Sequence, residues 1–256
     1  MHEPIDNSPA GGNQAIPSAQ IAQHADVWRG NRSTRVDGFV DAAFAFAVTL
    51  LVISGDHLPH SLDDLILALK NVPTFAASFV LILVFWTGHA QWSRRYGLDD
   101  AITRRLSLLL VFLVLIFVYP LRMVFASLFA LMTRGWLPTN FSIRVWSDIP
   151  ALFVIYGVGY GALCGVMWLL YRHAWSSRVV LGLSHVERIA TRVRQFTWAF
   201  QLMVASASIL VAMLILKIGA SGWQLGLPGF VYFSNNLAGP LARRYERQLH
   251  TRDALV

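Results

Sequence analysis

Few side chains here could do chemistry inside an apolar helix. Residues 35–53 read RVDGFVDAAFAFAVTLLVI, placing Arg35 at the mouth and Asp41 a turn and a half inside. A carboxylate at that depth is costly in lipid and needs a partner or a purpose. His89, in FWTGH near the end of the next apolar run, falls at a similar depth. An Asp–His or Asp–Arg network is therefore expected, either locking helix to helix or sensing protons. Asp37 is one turn before Asp41 and repulsive if both are charged. His57 and His60 beside Asp56, Asp63 and Asp64 have spacing compatible with a metal, but read first as a solvated loop. Cys164 is the one cysteine, within an apolar run, so no disulfide within the chain or thiolate cluster is expected. Nucleophile, base and orienter do not assemble into any recognisable set, so an enzyme is not expected, and neither is a cofactor or a resident metal.

Phasing the first helix at about 100° per residue puts Phe39, Phe46, Leu50 and Ile53 on one stripe, with Thr49 at its edge. Asp41 falls nearly opposite, which predicts that it turns into the subunit's own packing. On periodicity alone the stripe reads first as ordinary helix-packing surface, because the helix is apolar nearly all round.

The surroundings are those of a membrane protein. Of the 256 residues, 55% are hydrophobic and 14% charged, against about 25% charged in soluble domains. Six apolar runs predict an all-α integral membrane fold, with spans near 36–55, 73–92, 106–131, 149–171, 196–217 and 222–241. Gly226, Pro228, Gly229, Asn235 and Asn236 interrupt the last and predict a broken or re-entrant segment. Residues 1–33 read as a disordered tail, 34–242 as the membrane domain and 243–256 as a second tail. Sixteen arginines fall on one side of the six-span arrangement and four Lys or Arg on the other. That asymmetry predicts both termini in the cytoplasm of an inner-membrane, multi-pass protein. It also explains the +7 net charge without nucleic acid as a partner. Phe85, Trp86 and Trp92 read as an interfacial belt. The glycines at 157, 159, 161 and 165 suit close helix packing.

Arg35-x3-Phe39-x-Asp41 followed by AAFAFAVTLLVI resembles the signature of the transmembrane protein 175 family, potassium channels of endolysosomes with bacterial homologues. FAASFVLILVFWTGH is similar to that family's second helix, and LSLLLVFLVLIFVYP to its third. The resemblance implies six helices per subunit, a homotetramer, and a central pore lined by the first helix. It places Phe46 at the apolar constriction, Thr49 at a threonine ring that helps select ions, and Leu50 and Ile53 along the wall. Arg35, Phe39, Asp41 and His89 would hold that helix in register. The implied activity is passive, potassium-preferring conduction, with potassium ions, membrane lipids and other copies of the chain as partners. The chain departs from the signature at Val40, where the family has serine, and at Phe46, where an aliphatic residue is usual. The alternatives are a proton-coupled secondary transporter and a non-conducting membrane scaffold.

Overall fold

The computed structural model describes residues 29–30, 34–53, 60–139, 147–219 and 222–253. Among these residues every regular element is helical: α1 (Arg35–Ile53), α2 (Leu62–Lys70), α3 (Val72–Tyr96), α4 (Ala101–Met132), α5 (Asp148–Ser176) and α6 (His185–Ile218). A 3₁₀ turn (Gly222–Gly226), α7 (Leu227–Val231), a second 3₁₀ turn (Tyr232–Leu237) and α8 (Ala238–Asp253) follow. Four stretches are long and apolar enough to cross a membrane: α2 with α3, α4, α5 and α6. The chain is therefore a multi-pass membrane protein.

The apolar runs become long helices because their residues satisfy the backbone internally and offer no competing side-chain bonds. Polar residues set the ends. Asp100 caps α4 by accepting from the Thr103 N–H at 2.8 Å. Ser184 and Glu187 form a reciprocal capping box at the start of α6, which satisfies donors that the first turn leaves orphaned. That box starts α6 at His185, eleven residues ahead of the expected span, so HVERIATRVRQ is helix rather than loop. α2, where Asp63 and Asp64 were expected in a solvated loop, is started by Ser61 and by those two aspartates in its first turn. The Asp64 carboxylate accepts from the His60 N–H, so these residues build a helix end. No metal-binding group of three His, Cys, Asp or Glu occurs among the described residues. His57 and Asp56 lie outside them.

Packing follows from short repeats. Along α1 the buried residues are Val40, Phe44, Ala47 and Leu51, a four-three-four spacing that makes one narrow seam. Among the described residues, α1 packs on α3 and α4 only. Along α3 the buried face carries Phe85, His89, Trp92 and Tyr96 at the same spacing. Phe85 and Trp92 are thus core residues, not part of a belt. α5 and α6 form the most extensive helix pair. Glycines permit their approach: a Cβ at Gly157 would stand 2.6 Å from Ile209 of α6, and one at Gly159 would stand 2.4 Å from the Phe117 ring of α4. The interrupted 222–237 segment runs as short helical turns against α6. α8 then returns along the polar start of α6, with Tyr245 stacked on Phe196 at 5.0 Å between centroids. The residues expected as a C-terminal tail are thus helical as far as Asp253.

Candidate pore helix and its anchors

α1 divides its residues cleanly. The seam through Val40, Phe44, Ala47 and Leu51 faces α3 and α4, and the far side stays open: Phe39 is 53% exposed and Phe46 54%. Thr49 shares that open side, and its hydroxyl donates to the Ala45 carbonyl at 3.0 Å. Its one proton is thereby used within the helix, and the oxygen keeps lone pairs free to accept or to coordinate. Leu50 is half-buried beside the seam. The side chain of Ile53 lies outside the described residues.

The charged residues take separate positions. Asp37 forms a capping box with Thr34, accepting from the Thr34 N–H at 2.9 Å while the Thr34 hydroxyl accepts from the Asp37 N–H at 3.1 Å. Its second oxygen accepts from the Ser93 hydroxyl of α3 at 2.6 Å. Asp41 is exposed on the flank of the seam and accepts from the Trp86 indole of α3 at 2.8 Å. It does not turn into the core as expected, because the seam sits between it and the Phe46 stripe. Separate donors for the two carboxylates also relieve their i,i+4 repulsion. His89 is buried and pairs with Ser107 of α4 at 2.9 Å. Arg35 is exposed and has no hydrogen bond to Asp41 or His89. The structure thus brings Asp41 and His89 onto the same α1–α3–α4 interface through different partners, and leaves Arg35 outside it.

A second anchor joins residues far apart in the chain. Arg29 donates to the Glu187 carboxylate of α6 through both terminal guanidinium nitrogens, the longer bond being 3.1 Å. Glu187 is only 2% exposed, and its carboxylate also accepts from the Ser184 N–H at 2.8 Å. The Gly30 N–H donates to the Arg94 carbonyl at 2.9 Å. Gly97 follows α3 at φ +58, and a Cβ there would meet the Arg29 backbone at 3.0 Å. The chain just before α1 is therefore pinned to the ends of α3 and α6. Only the Ser184-x-x-Glu187 spacing announces any of this in the sequence. Nearby, burial pushes the Asp100 carboxyl up, but hydrogen bonds from Thr103 and His173 hold it below its ordinary value. His173 Nε2 lies 2.6 Å from it.

Residues 35–120 match the family model for the endosomal/lysosomal potassium channel TMEM175. A protein of Marivirga tractuosa described as a potassium channel is 30% identical over 214 residues, 80% of this chain and 84% of that one. The crystal structure of a threonine-to-alanine variant of the potassium channel MtTMEM175, in complex with a nanobody–MBP fusion, is 29% identical. It superposes with a TM-score of 0.74 over 88% of this chain and 97% of that one. A TMEM175 homolog from Chamaesiphon minutus, described as a lysosomal potassium-selective channel, shares the fold at 19% identity, with a TM-score of 0.50 over 84% and 96%.

Proposed function

Because this chain belongs to the TMEM175 potassium-channel family, we propose that it conducts cations passively, with preference for potassium, along an axis lined by α1 from four copies. In this reading α1 and the 222–241 segment join the four long helices as crossings. The arginine-rich ends, with both termini, lie in the cytoplasm of an inner-membrane protein. Phe46 forms the apolar constriction, which passes ions only when wetted. Thr49 forms a polar ring one turn further along, offering oxygen lone pairs to a cation. Phe39, Leu50 and Ile53 continue the wall. Asp37 and Asp41, held by α3, fix the rotation of α1 and thereby aim Phe46, and His89 ties α3 to α4 at the same end.

One observation carries the reading. Of the three phenylalanines of α1, Phe44 is buried in the seam while Phe39 and Phe46 stay more than half exposed, and both acids of the helix are bonded toward α3. A helix so arranged turns a stripe free of carboxylates, with Arg35 at its mouth, away from its own subunit, as a pore-lining helix does. A proton-coupled carrier would present an ionisable group on that stripe instead.

Potassium flux into liposomes tests it. Phe46→Ala should raise flux severalfold over the parent channel, and Thr49→Ala should narrow the potassium-to-sodium ratio. Unchanged flux in Phe46→Ala removes Phe46 from the pore.

A further inference from the structure

A groove of ≈ 460 Å³ runs between α4, α5 and α6, lined by Leu109, Leu113, Ala162, Gly165, Trp168 and Leu202 among others. Its walls are apolar, and they belong to three membrane-crossing helices. Its floor is open at Gly165, where an added Cβ would meet nothing within 4 Å. The neighbouring glycines at 157 and 159 have backbones pressed against side chains. Gly165 therefore does not serve helix packing; it leaves space.

One end of the groove is basic. Trp168 lines the groove and carries Arg172 over its ring, with the guanidinium 5.2 Å from the centroid. On the facing helix, Arg105 is exposed one turn before Leu109, and residues four apart share a helix face. The contact between Asp100 and His173 sets these two helix ends at one level. Neither arginine has a carboxylate partner among the described residues. The Asp100 carboxylate is close by but is engaged by Thr103 and His173.

We propose that this groove holds one anionic phospholipid from the leaflet on the arginine-rich side. Its phosphate lies between Arg105 and Arg172, and one acyl chain lies over Gly165 along Leu109, Leu113 and Leu202. The charge is complementary at one end and the apolarity at the other, and the Trp168 ring stands at the boundary, where amphipathic rings favour the membrane interface. An extended or irregular protein segment would need partners for its own backbone polar groups, which the apolar walls do not supply. The proposal goes beyond the channel reading and does not depend on which helix lines the pore.

Native mass spectrometry of the purified full chain in detergent tests it, with chain-matched phosphatidylglycerol and phosphatidylcholine as probes. The parent protein should retain phosphatidylglycerol preferentially. Arg105→Gln and Arg172→Gln should each weaken that preference about fivefold, equivalent to about 1 kcal/mol per basic residue at a membrane surface. Gly165→Leu should lower retention of both lipids by filling the floor, with the helix content and oligomeric state of the parent. Equal retention of the two lipids by the parent, or unchanged retention in the arginine variants, overturns the proposal. Displacement of phosphatidylglycerol by millimolar inorganic phosphate would reassign the site to a free anion. A changed oligomeric state in Gly165→Leu would give the groove to a second copy of the chain. The arginine variants change exposed side chains and decide the matter even if the leucine variant fails to fold.

Discussion

Removing Arg29 should cost far more than removing the acid it binds. Glu187 is 2% exposed and its carboxylate is held by Arg29 and by the Ser184 N–H. In Arg29→Ala the charge stays buried with the Ser184 donor alone. Breaking a buried pair from one side costs about 3–5 kcal/mol, and the 20% exposure of the Arg29 side chain argues for the lower end, about 3 kcal/mol. Glu187→Ala frees Arg29 to turn toward water and forfeits mainly the capping box, so it should cost about 1–2 kcal/mol. In the double variant no charge is orphaned, and its cost should match that of Glu187→Ala. The coupling between the two positions is then about 3 kcal/mol in magnitude. Reversible denaturant unfolding in mixed micelles, followed by circular dichroism on all four proteins, measures it. Single effects that add to within about 0.5 kcal/mol would refute the reasoning, because independent sites behave that way.

Two further outcomes follow from local geometry. Gly159→Ala drives a methyl to 2.4 Å from Phe117 and should destabilise by about 1–3 kcal/mol, whereas Gly165→Ala, with open space above it, should stabilise by up to about 1 kcal/mol through helix propensity; the same unfolding assay separates them. Because the folded Asp100 carboxyl sits below its ordinary value, the margin of the parent protein over Asp100→Asn should be complete at pH 5–6. It should vanish as pH falls below about 4, since asparagine keeps the cap and loses only the charge.

The long helices were legible because a bilayer demands unbroken apolar runs, and α3 through α6 contain them. The ends of those helices were not. α6 begins with HVERIATRVRQ, which a hydropathy argument discards, although its Ser-x-x-Glu opening is a helix start that spacing alone displays. The seam on α1 was partly legible. Phasing separated the Phe46 stripe from Asp41 but could not tell which face between them the subunit would cover. That depends on Val40, Phe44, Ala47 and Leu51 meeting α3 and α4. The anchors were hidden for a different reason: Ser93 is 56 residues from Asp37 and Glu187 is 158 from Arg29. Neither pair has a local pattern, and each is joined only when the helices stack. Trp86 and Trp92 show the same limit. Both suit an interface by composition, yet one bonds Asp41 and the other is packed into the core.

The small bond from the Thr49 hydroxyl to the Ala45 carbonyl also bears on how subunits come together. Because the proton is already satisfied within the helix, the stretch of the open face of α1 from Phe39 to Thr49 carries no unmet side-chain donor in a single subunit dissolved in lipid. Association therefore gains nothing from rescuing a stranded polar group and must draw on the fit of apolar surfaces. Such an equilibrium obeys mass action. The ratio of protein to lipid, rather than any property of the isolated chain, then decides how many complete assemblies a membrane contains.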